Sequence, residues 1–208
     1  MFFYLNQPPL KTIVFFDGQN IYHLAKNLWS SSHIGSNNPY SYPSYDVELL
    51  AHFLVNQVPN RILKQIRFYT GVPNPNFSGK HKFWYTFWNS KSAYLKSRGI
   101  YIYRGRINEG GQEKGVDVNL AIDLIELTYD KQYDVAIIVS QDWDFGGAVK
   151  MAKRIAKSQG RMLTFASAFP YSPTKSKTSR GVPGTSWIQI LKSDYDSCID
   201  SRDYRPII

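Results

Sequence analysis

Apolar positions along this chain follow two rhythms in alternation. Short β-branched and aromatic runs come first in each pair: "TIVFFD" (12–17), "LKQIRFYTGV" (63–72), "IYIYRGRI" (100–107), "YDVAIIVS" (133–140) and "GRMLTFAS" (160–167). Runs of this length and composition predict strands, and the continuous hydrophobicity of "TIVFFD" predicts a buried one. Between them the apolar positions recur at helical spacing. Gln19 to Trp29 predicts a helix, as does "DVELLAHFLVNQV", with Asp46 as its cap and Pro59 as its stop. "KHKFWYTFWNSKSAYLKSRG" predicts a third helix ending at Gly99, "VDVNLAIDLIELTYD" a fourth, and Phe145 to Ser158 a fifth. Strands alternating with helices predict an α/β fold: a largely parallel sheet with helices on both faces.

Polar, Pro-rich and Gly-rich stretches mark the breaks. Ser30 to Tyr45, "PNPNFSG" (73–79) and "NEGGQEKG" (108–115) read as loops, the last as a flexible one. From 170 to 184, "PYSPTKSKTSRGVPG" reads as a mobile basic loop, and 185–208 as a C-terminal extension returning to the sheet. With 208 residues and no internal repeat, the expectation is one domain over 1–208. On the fifth helix, Phe145, Ala148, Val149, Ala152, Ile155 and Ala156 share one face. Lys150, Lys153, Arg154 and Lys157 share the other.

Charge and composition narrow the classes. The formal net charge is +9, which points to a polyanionic partner such as nucleic acid, or to an anionic membrane surface. One cysteine, Cys198, excludes an internal disulfide and a cysteine-based zinc site. His23, His33, His52 and His81 lack ligand-like spacing. No apolar run approaches the roughly 20 residues that span a bilayer. "MFFYLNQPPL" lacks the basic start of a signal peptide, so a cytoplasmic location is expected.

Acids then gather where parallel sheets bind ligands, at the carboxyl ends of the strands. Asp17 ends the first strand, Asp142 and Asp144 follow the fourth, and Asp117 starts the helix before it. Each of Asp117, Asp142 and Asp144 is explicable alone as a helix cap. Caps explain less well why Asp17, at the end of a buried strand, should join them. Carboxylates at one edge repel one another unless a cation is present, and oxygen donors without Cys or His select Mg²⁺ or Mn²⁺ over zinc. Asp123 lies on the helix's polar strip with Asn119 and Glu126, and is expected to support the site rather than ligate an ion.

Three stretches make the pattern specific: "VFFDGQNIYH" from Val14, "KGVDVNLAIDL" from Lys114 and "IIVSQDWDFGGAV" from Ile137. In this order they resemble the NYN family, a branch of the PIN-like nuclease superfamily, in its bacterial form. The resemblance spans Thr12 to Ser167. It implies a three-layer PIN-like α/β/α sandwich around a mostly parallel sheet, and metal-dependent cleavage of RNA by an activated water. By position, Asp17, Asp117, Asp142 and Asp144 match the family's acidic cluster, and Asn20 matches the Asn of its first motif. Ser140 matches the hydroxyl residue before the last acids, and Asp123 the second acid of the middle motif. The last motif departs from the family's frequent Ser-Gly-Asp-Ser-Asp, since Gln141 and Trp143 replace Gly and Ser. Packing of Trp143 beneath its loop is the expectation, with stacking on a base as the alternative.

Lys80, Lys82, Arg104, Arg106, Lys175, Lys177 and Arg180 are candidate contacts to RNA phosphates, with Trp143 as a candidate contact to a base. The aromatic stripe Trp84, Phe87 and Trp88 reads first as a core face and second as a stacking surface. Three functions compete at this point. The first is a metal-dependent endoribonuclease acting on single-stranded or structured RNA. The second is a catalytically weak or inactive RNA-binding module. The third is an Asp-nucleophile phosphatase, which usually wants a second Asp two residues on, where Gln19 stands. A homo-oligomer is compatible with all three.

Overall fold

The protein is described here by a computed structural model covering residues 8–30, 38–76, 79–108, 110 and 112–206. The N-terminal stretch 1–7 and the loop segments at 31–37 and 77–78 lie outside the described residues. The strands are β1 (Leu10–Asp17), β2 (Arg61–Pro73), β3 (Tyr101–Ile107), β4 (Glu113–Lys114), β5 (Val135–Val139), β6 (Thr164–Pro170) and β7 (Ser186–Ile190). The helices are α1 (Gly18–Trp29), α2 (Val47–Asn56), α3 (Gly79–Ser97), α4 (Val116–Tyr129), α5 (Gly146–Ser158) and α6 (Lys192–Ser197). Among the described residues the strands form one sheet in the order β4-β3-β2-β1-β5-β6-β7, parallel except for β4.

β1 shows why the apolar runs are continuous. Val14 and Phe16 enter one core with residues of α1, α2 and α3. Ile13 and Phe15 enter the other with residues of α4 and α5. Both faces are therefore covered, and each fully buried side chain of this size contributes about 1.5–3 kcal/mol. The α5 faces fall as the spacing predicts: Phe145, Ala148, Val149, Ala152 and Ala156 are buried, and Lys150, Lys153, Arg154 and Lys157 exposed. Asp46 caps α2 by accepting from the Glu48 and Leu49 amides, both at 2.9 Å.

Two loop expectations change. The stretch 108–115 is not merely a flexible loop. Asn108 and Gln112 close a turn, and Glu113 pairs with Ile107 and Lys114 with Arg106 in an antiparallel ladder. The 170–184 segment is tied down at several points. Lys175 donates to the Leu28 carbonyl at 3.1 Å, Lys153 to that of Gly184 at 2.6 Å, and Val182 is buried in the α4–α5 core. After it, β7 pairs in parallel with β6, and Tyr195, Cys198 and Tyr204 enter the α1–α3 core. Among the described residues, no helix is long and apolar enough to cross a membrane.

Candidate active site

The chain runs from β1 to β2 on one side of the sheet, and later returns beside β1 as β5. Helices leave β1 and β5 on opposite faces, so their carboxyl ends bound the crevice where open parallel sheets bind ligands. Phe16 pairs with Val139, which brings the next residues, Asp17 and Ser140, side by side.

Asp17 is 4% exposed and caps α1. Its Oδ1 accepts from the Asn20 amide at 3.1 Å and its Oδ2 from the Ser140 hydroxyl at 3.0 Å. Ser140 Oγ in turn accepts from the Asp142 amide at 3.1 Å, and Asn20 Oδ1 from the Gln141 amide at 3.0 Å. Asp142 accepts from the Asp144 amide at 2.9 Å, capping a 3₁₀ turn at Trp143–Phe145 that leads into α5. A chain of hydrogen bonds thus stitches the ends of β1 and β5 together. Asp117 reaches the same edge from the first turn of α4. Gly115, at φ 81°, makes the left-handed turn that starts this helix.

The electrostatics match an edge lacking an internal cation. Burial pushes the Asp17 carboxyl up to about 7; Asp117 and Asp142 push the same way, against the Asn20 and Ser140 hydrogen bonds. Asp117 is raised by partial burial and by the charges of Asp142 and Asp144. None of the ion pairs among the described residues involves these four acids.

A fifth acid joins them. Glu113, in the stretch expected to be loop, is pushed up to about 8 by burial and then by the charge of Asp17, against the Gly71 backbone amide, with Asp117 adding to the rise. Among the described residues its Oε1 is buried without a hydrogen bond of good geometry. A Cβ on Gly71 would stand 2.5 Å from that oxygen, so β2 carries glycine where the carboxylate approaches. An isolated glycine within a strand marks such an approach, but nothing in the sequence ties Gly71 to Glu113.

Other expected residues fall elsewhere. Asp123 does not support the acids: its Oδ2 accepts from Arg67 Nη2 and the Tyr69 hydroxyl, both at 2.6 Å, on the α4 side of the sheet. Trp143 does not pack under its loop; it is 55% exposed. The bulky indole fits this motif because the 3₁₀ turn directs it out of the core. Gln141 donates to the carbonyls of Arg180 at 2.9 Å and Thr178 at 3.4 Å, holding the basic segment against the site. Lys177 and Arg180 are exposed on that segment, as are Lys80 and Lys82 on α3 and Arg106 on β3. Arg104 donates to Asn89 at 2.5 Å, and Lys175 to the end of α1. Lys91, the remaining lysine of the aromatic stretch, is buried against the carbonyls of Pro43 and Tyr45.

The donor set of the edge is oxygen only. Among the described residues, no three His, Cys, Asp or Glu side chains gather tightly enough to enclose a metal ion. Of the common divalent ions, an oxygen-only donor set suits Mg²⁺ or Mn²⁺ rather than zinc.

A parallel three-layer sandwich with acids at the β1/β5 crevice defines the PIN-like class of α/β fold. The model of the NYN domain matches residues 11–177, and the chain belongs to that family. The fold is also similar to the crystal structure of a protein of unknown function from Vibrio parahaemolyticus, at a TM-score of 0.51 and 16% identity. That similarity covers 91% of this chain and 98% of the other. No curated protein matches the chain. The family is nuclease-like, which supports a hydrolase.

Proposed function

We propose that the protein is a metal-dependent endoribonuclease that hydrolyses RNA phosphodiester bonds at the β1/β5 edge. The observation that carries this reading is the buried Asp17 carboxylate, facing Asp117 and Asp142 with no ion-pair partner among the described residues. A fold that needed Asp17 only as a cap would gain from a neutral Asn or Ser there. In this reading Asp17, Asp117, Asp142 and Asp144 hold Mg²⁺ or Mn²⁺. When bound, such an ion lowers the pKa of water and neutralises phosphate oxygens.

The chain's own residues prepare the site. Ser140 fixes the Asp17 carboxylate through a hydrogen bond and is fixed by the Asp142 amide. Asn20 has its Oδ1 engaged by Gln141, so its NH₂ group is what it offers to a phosphate oxygen or a water. RNA, the polyanion suited to a +9 chain, is placed by exposed cations around the edge: Lys80, Lys82, Arg106, Lys177 and Arg180. The exposed Trp143, beside the acids, is positioned to stack on a base.

Incubating wild type and Asp142→Asn with a mixed RNA pool under Mn²⁺ and mapping the new ends tests this. Wild type is expected to produce internal cuts and the variant to lose about 100-fold or more in rate. Equal cutting by Asp142→Asn overturns the site assignment. RNA binding by wild type without any turnover identifies the chain as a binding module instead.

A further inference from the structure

A pocket of about 330 Å³ opens between α1 and α3 at the same edge of the sheet. Gln19, two residues beyond Asp17, lines it, as do Pro73 and Ile107 at the ends of β2 and β3. Its chemistry is the reverse of the acidic crevice beside it. Trp84 brings partly exposed aromatic surface, with the buried Tyr22 and Trp88 rings behind it; Lys26, Lys80, His23 and His81 bring cationic or donor groups; among the described residues no carboxylate lines it. The rings form a connected set, with Tyr22 6.3 Å from Trp84 and 4.9 Å from His23. The Lys26 ammonium stands 5.7 Å from the Tyr22 ring, and neither Lys26 nor Lys80 is in an ion pair among the described residues.

We infer that this pocket is a nucleotide subsite, taking one base and its phosphate from the RNA chain whose scissile bond lies at the acidic edge. The inference rests on the endoribonuclease reading and extends it to a place outside the acidic motif. A nucleotide presents a flat π face and a negative phosphate, the two features that an aromatic, cationic and acid-free lining complements. The volume lies within the roughly 300–1,000 Å³ usual for small-ligand sites. Continuity favours a chain over a free nucleotide. A second concavity, lined by Tyr85, Arg104, Arg106 and Lys114, shares Pro73 and Ile107 with the first. The basic lining therefore continues along the carboxyl ends of β2 and β3. Trp84 acquires a role here that the core stripe does not explain. Phe87 and Trp88 are buried, while Trp84 is only partly covered, at the rim.

The test is fluorescence anisotropy with a labelled single-stranded RNA of about ten nucleotides, a length matched to single-strand site sizes. The protein is full-length Asp142→Asn in EDTA, so neither cleavage nor divalent cations enter the readout. In this parent, Lys26→Glu/Lys80→Glu is expected to weaken binding about 10-fold or more and to reduce the salt slope by about 2. Trp84→Ala is expected to weaken it about 5- to 100-fold. Lys150→Glu/Lys157→Glu, on the solvent face of α5, is expected to change it no more than about 2-fold.

Thermal melts show whether Trp84→Ala is folded. The lysine pair decides the matter if it is not, because Lys80 is exposed and the half-buried Lys26 is in no ion pair among the described residues. Unchanged binding by the lysine pair, or an equal loss in the α5 pair, overturns the subsite. Uridine or adenosine monophosphate binding as tightly as the oligonucleotide overturns the chain-bound form. Loss of binding at the pocket in a protein whose wild type never cuts RNA supports the subsite while defeating the activity. Cutting with no pocket dependence does the opposite.

Discussion

Two aspartates near β2, Asp17 at the end of β1 and Asp123 on α4, show how differently this fold treats a carboxylate. Asp123 is given a guanidinium and a phenol: Arg67 and Tyr69 both reach Oδ2 at 2.6 Å, and the Arg67 guanidinium also lies 3.6 Å from the Tyr101 ring. Asp17 is more deeply buried yet receives only an amide and a hydroxyl, while Asp117, Asp142 and Glu113 crowd it. The chain is rich in cations, with 25 Lys and Arg against 16 Asp and Glu, so the lack of one at Asp17 is not a shortage. Asp123 is neutralised from within, whereas no Lys or Arg among the described residues pairs with Asp17, and a bare buried carboxylate at a strand end marks a candidate functional site.

The largest effect expected from breaking this contrast is at Asp123. Asp123→Ala leaves the Arg67 guanidinium buried without its counter-ion, and denaturant unfolding should show a loss of about 3–5 kcal/mol. Asp17→Asn should do the reverse. In the metal-free protein the folded carboxyl titrates near 7, against an ordinary value of 3.8, so the folded state holds the proton over the window between them. Stability from that proton is present below the lower value and is lost as pH rises through about 7. Asp17→Asn should therefore gain about 1–3 kcal/mol at pH 8, little at pH 4, and flatten the pH profile of the melting temperature. An unchanged profile would mean that Asp17 is not the uncompensated charge.

Glu113→Gln should give a smaller gain of about 1–2 kcal/mol at pH 8, and NMR titration of Asp17→Asn should show the Glu113 carboxyl moving back toward its ordinary range. Smallest is Gln141→Ala, which removes the bonds to Thr178 and Arg180. It should cost about 1 kcal/mol, and limited proteolysis should show faster cutting after Lys177 or Arg180.

How much of this could be read from residues alone depended on whether the signal was local. Strands buried on both faces announce themselves by continuous apolar runs, and β1 and β5 were legible for that reason. The acids at their ends were legible because a parallel sheet delivers all its carboxyl ends to one side. Glu113 was not, because its burial depends on a two-residue strand and on space left by Gly71 in a distant strand. Asp123 misled because a motif position says nothing of the Arg67–Tyr69 pair waiting 54–56 residues earlier in the chain. Trp143 was misjudged because bulk suggests burial, whereas a 3₁₀ turn decides direction. The 170–184 segment looks mobile by composition, yet it is held by a glutamine whose partners are backbone carbonyls, which no side-chain pattern reveals.

The most direct test of the central claim, that the β1/β5 edge is kept bare for an external cation, is calorimetric titration of Mn²⁺ at pH 7. It should be run in two buffers of different ionisation enthalpy. Saturable binding to wild type is expected, with release of part of a proton as Asp17 gives up its own, and with strong weakening in both Asp17→Asn and Asp142→Asn. Absence of saturable binding, or equal binding by Asp17→Asn, would contradict the account.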